Sequence, residues 1–83
     1  MMETVRRYYR VDRKDIHYIR YTIESYDGAA VVRTIDPQEA LLEILIAPGC
    51  EYLIGRLVED LSGREGLQLK SIDSPGHKSP EPE

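Results

Sequence analysis

Tryptophan and phenylalanine are absent from this chain of 83 residues, which has six tyrosines and only one cysteine. The single cysteine, Cys50, excludes an intrachain disulfide and favours a reducing compartment. No apolar run approaches the roughly 20 residues that span a bilayer. The N-terminus, MMETVRRYYR, also lacks the apolar segment of a signal peptide. We therefore expect a cytoplasmic protein with no membrane partner.

Motifs that carry chemistry are scarce as well. The six glycines form no phosphate-binding pattern. Two distant histidines and one cysteine do not make the ligand pairs of a zinc site. His17 has neither the partner nor the pocket that a general base needs. We therefore predict no catalytic residue, no metal and no cofactor, and we expect that the protein is not an enzyme.

Charge is distributed unevenly along the chain, whose net charge is −4. Residues 1–35 carry seven basic against five acidic side chains, whereas residues 36–83 carry four against ten. This acidic balance argues against a general nucleic-acid binder, although it leaves room for a local basic patch.

The first third of the chain has the pattern of a strand followed by a helix. Residues 5–11 (VRRYYRV) combine β-branched and aromatic side chains, which is typical of a strand. Asp12 is predicted to cap a helix with its side chain, and Gly28 is predicted to end it. Arg20 and Glu24 stand four residues apart and can pair on that helix. Its apolar positions recur at helical spacing: Ile16, Ile19, Ile23 and Tyr26.

Two strands joined by a tight hairpin are predicted next, at residues 29–36 and 40–47. The turn chemistry lies in Asp36-Pro37-Gln38-Glu39, where proline presets the backbone and aspartate caps its own turn. The favoured register pairs Arg33 with Glu43, Ile35 with Leu41, and Val31 with Leu45. A slip by one residue would exchange the two faces of the hairpin.

A second helix and a short edge strand complete the predicted domain. Pro48-Gly49 ends the preceding strand, and Ser62-Gly63 ends the helix. The apolar stripe of this helix is Cys50, Leu53, Ile54, Leu57 and Leu61, so we predict that Cys50 is a buried structural residue. Residues 67–72 (LQLKSI) form the strand. From residue 73 onward, prolines without large apolar side chains predict a disordered tail over 73–83, outside a single domain over 1–72.

The β-α-β-β-α-β order predicts an α+β fold, the ferredoxin-like two-layer plait. Its antiparallel sheet would have the strand order 4-1-3-2, with both helices on one face. The predicted core consists of Val11, Ile16, Ile19, Ile23, Tyr26, Val32, Leu42, Ile44, Ile46, Leu53, Ile54, Leu57 and Leu61.

Helices on one side of the sheet leave the other side, here called the open face, without a cover. The predicted interface on this face comprises Tyr8, Arg10, Val31, Arg33, Ile35, Leu41, Glu43 and Leu45. A small monomer seldom exposes so many large apolar side chains together, and covering them contributes roughly 25 cal/mol per Å². We therefore expect a homodimer, joined through the open face or through the exposed tyrosines of the helices, Tyr18, Tyr21 and Tyr52.

Three stretches of the chain resemble a bacterial family of small proteins, the domain of unknown function 4911. They are Val11-Asp12-Arg13 at the end of the first strand, Glu24-Ser25-Tyr26-Asp27-Gly28 at the end of the first helix, and Val32-Arg33-Thr34-Ile35-Asp36-Pro37. The resemblance covers roughly residues 7–62. It implies a free-standing small cytoplasmic protein and supplies no functional residue.

Three functions are compatible with these patterns. The first is a non-enzymatic interaction or regulatory domain that self-associates. The second is a sensor of an unknown small ligand, similar to ACT-type regulatory domains, with charged groups at Asp12-Arg13-Lys14-Asp15; the glycine-rich loop of that family is missing. The third is RNA binding by arginine and tyrosine on the first strand. It is disfavoured, since the neighbouring strand ALLEILI offers no aromatic side chain and contributes Glu43.

Overall fold

The computed structural model of the protein describes residues 4–73. Its strands and helices are β1 (Val5–Val11), α1 (Ile16–Glu24), β2 (Ala30–Asp36), β3 (Leu41–Ile46), α2 (Glu51–Glu59) and β4 (Leu69–Ile72). A 3-10 turn at Arg13–Asp15 precedes α1, and a π-helical turn at Asp60–Arg64 follows α2. The predicted order of strands and helices is therefore confirmed. The tail predicted from residue 73 lies, apart from Asp73, outside the described residues.

The four strands form one antiparallel sheet in the order β2-β3-β1-β4, which is the predicted order read from the other edge. β1 lies inside the sheet, between β3 and β4. Val5 pairs with Ile46 at one end of the β1–β3 ladder, and Arg10 pairs with Leu41 at the other. The fold class is therefore α+β, as predicted.

One hydrophobic core lies between the sheet and the two helices. α1 contributes Ile19 and Ile23 to it, and α2 contributes Ile54 and Leu57. Since both helices join the same cluster as alternate residues of the strands, both pack on the same face of the sheet. The strand residues of this cluster are Tyr9, Val11, Ala30, Val32, Leu42, Ile44 and Ile46.

Most of the predicted core is buried, with one clear error and several omissions. Tyr26 is 43% exposed, because α1 ends at Glu24 and the helical spacing no longer applies beyond it. Ile16 and Leu53 are only partly buried. The residues that the pattern missed are Tyr9 and the small side chains Ala29, Ala30 and Ala40.

The start of α1 also differs from the prediction, since Asp12 makes no capping hydrogen bond with its side chain. Its backbone carbonyl instead accepts a hydrogen bond of 3.0 Å from the N–H of Asp15 and so closes the 3-10 turn. Lys14 Nζ lies 3.1 Å from an Asp15 carboxylate oxygen and 3.8 Å from an Asp12 one. The carboxylate of Asp12 is therefore turned toward a cation rather than toward the backbone.

The hairpin turn follows its predicted chemistry. Asp36 Oδ1 accepts hydrogen bonds from the backbone N–H groups of Gln38, at 3.0 Å, and Glu39, at 3.2 Å. Ala40 then has a φ of 55°, a left-handed conformation that costs energy for a residue with a Cβ atom. Its carbonyl oxygen accepts the N–H of Val11 at 3.0 Å, so β1 holds the end of the turn in place.

Two of the three predicted hairpin pairs are confirmed: Val31 with Leu45 and Arg33 with Glu43. The third is wrong, because Asp36 rather than Ile35 lies opposite Leu41. The register shifts between Thr34 and Asp36, so β2 accommodates one extra residue, as at a β-bulge.

Candidate interaction surface

The side of the sheet opposite the helices brings together all eight residues of the predicted interface. The register and the alternation of side chains place them there with three others. The open face thus consists of Arg6, Tyr8, Arg10, Val31, Arg33, Ile35, Leu41, Glu43, Leu45, Lys70 and Ile72. No strand or helix of residues 4–73 covers it. Lys70 and Ile72 were not predicted, although the alternation in LQLKSI could have identified them.

Apolar side chains are exposed on this face mainly along β2. Val31 is 52% exposed and Ile35 is 41% exposed, while Leu45, opposite Val31, is half-buried. Leu41 was expected to be uncovered, but it is only 9% exposed. In the ladder it lies between Arg10 and Asp36. The exposed apolar area is therefore narrower than predicted and is centred on β2 and β3.

A buried carboxylate lies at the centre of the open face. Glu43 is 5% exposed, and its Oε2 accepts a hydrogen bond of 3.0 Å from the hydroxyl of Tyr8. Its Oε1 lies 3.3 Å from Arg33 Nη1, an ion pair, yet no donor in residues 4–73 makes a directed hydrogen bond to that oxygen. Arg33, Glu43 and Tyr8 therefore form one polar row across three strands.

The environment of Tyr8 keeps its hydroxyl protonated. The hydrogen bond to Glu43 is the largest cause that raises the pKa of Tyr8 above its ordinary value of 10.0, followed by desolvation and by the negative charge of Glu43. The nearby Arg6 acts in the opposite direction. Tyr8 is thus a neutral hydrogen-bond donor at physiological pH, and it cannot serve there as a base.

Charge divides the open face into two halves. The apolar half, on β2 and β3, consists of Val31, Ile35, Leu41 and Leu45 around the Arg33–Glu43 pair. The basic half, on β1 and β4, carries Arg6, Arg10 and Lys70 beside Tyr8. Arg10 is partly neutralised, because its Nη1 lies 3.3 Å from Glu39 Oε1. A net positive potential over the basic half is therefore expected on a chain whose net charge is −4.

The tyrosines of the helix layer are exposed, as predicted, at 45% for Tyr18, 74% for Tyr21 and 76% for Tyr52. Two of them make contacts within the chain. The Tyr18 hydroxyl donates a hydrogen bond of 2.7 Å to Glu65 Oε1, which raises the pKa of Tyr18. Arg56 lies 5.8 Å from the centre of the Tyr52 ring, a cation–π contact.

The remaining chemical candidates form no site. Cys50 was predicted to be buried, but it is half-buried at the start of α2, where it packs against the core. His17 is exposed. The charged residues Asp12, Lys14 and Asp15 pair with one another. Within residues 4–73, no group of three or more His, Cys, Asp or Glu side chains could hold a metal ion.

These features define a small α+β domain whose sheet is covered by helices on one side only. No helix within residues 4–73 has the length and apolar character needed to cross a membrane.

The chain belongs to the family described as Domain of unknown function (DUF4911), whose model matches residues 9–64. This confirms the family suggested by its turns and strand ends. No curated protein and no solved structure matches the chain.

Proposed function

We propose that the protein is a non-enzymatic interaction domain that forms homodimers through the apolar half of the open face. The observation that carries the proposal is the exposure of Val31 and Ile35 on a side of the sheet that residues 4–73 leave without a cover. Apolar side chains gathered on one face of a small domain mark a contact surface more often than a solvated one. Association would remove them from water and strengthen the Arg33–Glu43 pair by desolvation.

The charges on the open face favour an offset dimer. Full stacking of two open faces would either bring the two basic halves together or set each basic half against the apolar half of the other copy, and both arrangements are unfavourable. A two-fold axis over the apolar half instead brings Val31 and Leu45 of the two copies together. Each basic half then lies at the outer end of the dimer.

The small area of the apolar half limits how tightly two copies can bind. With strands about 4.8 Å apart and a rise of about 3.4 Å per residue, the whole open face spans roughly 20 by 20 Å. A standard interface buries about 800 Å² per partner, and half of this face provides less. We expect a dissociation constant of about micromolar or weaker, because association also costs translational and rotational entropy.

We further propose that the fold is a ferredoxin-like plait. The β-α-β-β-α-β order, the antiparallel strand order and the placement of both helices on one face support this. We also propose a cytoplasmic location. The single cysteine cannot form an intrachain disulfide, and intrachain disulfides are typical of proteins in oxidising compartments.

Sedimentation velocity over a wide concentration range tests the dimer. We expect the wild-type protein to shift from monomer to dimer, and the variant Val31→Thr/Ile35→Thr to shift only at higher concentration. Threonine keeps β-branching and therefore strand propensity. The matched control is Tyr21→Gln, which changes an exposed aromatic residue on α1. A wild type that stays monomeric throughout contradicts the proposal, and an effect of Tyr21→Gln alone would move the interface to the helix layer.

A second candidate, binding of single-stranded RNA, is supported by the basic half with Tyr8 between its cations. Cations that follow a strand beside an aromatic ring suit phosphates and stacked bases. Fluorescence anisotropy of a labelled RNA oligonucleotide at low salt should show binding that weakens with salt. Lys70→Gln should weaken it further, whereas Arg56→Gln, at an exposed position of α2, should not. Absence of binding at low salt rules this candidate out.

A further inference from the structure

The two edges of the sheet differ in how well they are protected. Edge strands present unpaired backbone groups that can pair with another chain, and proteins shield them by shortness or by charge. β4 (Leu69–Ile72) has four residues and carries Lys70. β2 (Ala30–Asp36) has seven residues and is rich in β-branched side chains, which favour strand pairing. Arg33 and the register shift between Thr34 and Asp36 protect the second half of β2, so the uncharged half up to Val32 is the part of this edge that needs another form of protection.

A side chain from α1 supplies that protection in the middle of β2. The carbonyl of Ala29 accepts the N–H of Ala47 at 2.9 Å, so odd-numbered residues at the start of β2 bond to β3. The backbone groups of Val32 therefore point away from the sheet. The N–H of Val32 donates to Glu24 Oε2 at 2.8 Å. Glu24, the last residue of α1, is itself paired with Arg20 at 3.6 Å.

We propose that Glu24 keeps the β2 edge closed to the β2 edge of a second copy of this chain. The edge is self-complementary about a two-fold axis at Val32. Antiparallel pairing there sets Arg33 opposite Val31 of the second copy, so the two arginines do not face each other. The two central hydrogen bonds of this pairing are both donated by the N–H of Val32, which is the group that Glu24 occupies.

Loss of the Glu24 carboxylate therefore opens a contact that is separate from the open-face dimer. The edge contact would join two sheets into one of eight strands, with all helices on the same side. It protects backbone amides of β2 from exchange with water. The open-face contact covers the side chains of Val31 and Ile35 and leaves the edge amides accessible.

The test compares Glu24→Ala with Glu24→Gln in the full chain, by sedimentation and by amide hydrogen exchange. Glu24→Ala frees the N–H of Val32 in each of the two copies. Association should therefore be about tenfold or more stronger than in the wild type. Glu24→Gln keeps an acceptor at the same position and should change association much less. The amides of Val32 and Thr34 should exchange slowly in the associated Glu24→Ala protein.

A proline distinguishes the edge contact from any other association. The N–H of Thr34 points away from β3, as that of Val32 does. An edge strand tolerates proline at a position whose N–H faces outward. Glu24→Ala/Thr34→Pro should therefore return to wild-type association, although Thr34→Pro leaves the open face intact. If Glu24→Ala associates no more than the wild type, the proposal is wrong.

The wild-type protein provides a test that needs no variant. Exchange of the Val32 amide should be slower than that of the Thr34 amide in dilute solution, because only Val32 has the Glu24 acceptor. Equal rates for the two amides would remove the basis of the proposal. Failure of the open-face dimer alone would leave this result and the Glu24→Ala result unchanged.

Discussion

The hydroxyl of Tyr8 on β1 donates a 3.0 Å hydrogen bond to Glu43 on β3, on the side of the sheet that lacks helices. The two residues are also direct neighbours in the β1–β3 ladder. Glu43 is almost fully buried although it lies on an outer face of the domain. A buried carboxylate is tolerated when it is paired and hydrogen-bonded, and here Tyr8 and Arg33 supply both contacts.

Replacement of Glu43 should therefore destabilise the protein. We expect Glu43→Ala to lower the free energy of unfolding by about 1 to 3 kcal/mol, since it removes the acceptor for Tyr8 and the partner of Arg33. Glu59→Ala, at an exposed position of α2, is the control and should change it by about 0.5 kcal/mol or less. Urea denaturation followed by circular dichroism measures both. Equal effects of the two substitutions would mean that the Glu43 contacts contribute nothing to stability.

The same hydrogen bond predicts how stability depends on alkaline pH. The pKa of Tyr8 is raised in the folded state, so its contribution is fully present below the unfolded value of about 10. That contribution is lost as the pH rises through the folded pKa. In an ultraviolet titration of tyrosinate, Tyr8→Phe should lose one of the two tyrosine transitions that are raised in the wild type, while the raised transition of Tyr18 remains. Glu43→Gln should lower the pKa of Tyr8, and an unchanged titration in both variants contradicts the assignment.

The left-handed backbone of Ala40 predicts an unusual response to glycine. Ala40 and Ala29 are both buried, at 2% and 4% exposure, but only Ala40 has a positive φ. Glycine at either position loses a buried methyl group and adds flexibility to the unfolded chain. At Ala40 it also relieves about 1 kcal/mol of backbone strain. Ala40→Gly should therefore destabilise by about 1 kcal/mol less than Ala29→Gly, and the opposite order in thermal unfolding would contradict this.

Gly55 is a position where the protein can be stabilised. It lies inside α2, and a Cβ atom there would have only Arg7 Nη1 nearby, at 4.0 Å, an ordinary contact distance. Gly55→Ala should raise the free energy of unfolding by about 0.5 to 1 kcal/mol, through helix propensity. Gly49→Ala is the control, because its φ of 87° strains any residue with a side chain. A gain in Gly49→Ala as large as that in Gly55→Ala would show that helix propensity is not the cause.

Much of the architecture follows from local sequence patterns. Opposite charges and a proline turn were sufficient to predict the pairing of Arg33 with Glu43. The position of Ile35 was not predictable, because the local pattern shows neither the extra residue in β2 nor the left-handed backbone of Ala40. That conformation is supported by the N–H of Val11, a contact between residues far apart in the sequence.

The sequence predicted which residues lie on the open face, but it did not predict how exposed each of them is. Alternation assigns Leu41 to the open face but does not predict that only 9% of it is exposed, with Arg10 and Asp36 of two other strands beside it in the ladder. The burial of Glu43 similarly depends on Tyr8 and Arg33, which meet only in the folded sheet. The bond from Val32 to Glu24 was missed for the same reason, although an acidic residue at the end of a helix before an edge strand is a signal that could have suggested it.

The interior position of β1 has a consequence for the order in which the molecule is assembled. β1 can pair along its full length with its two neighbours only after Ile46 and then Ile72 have been synthesised. Pairings between such distant segments form slowly, and a nascent chain that stops short of residue 69 leaves one side of β1 without a partner. The sheet can therefore close around β1 only after β4 has been translated, and until then the unpaired side of β1 is exposed to contact with other chains.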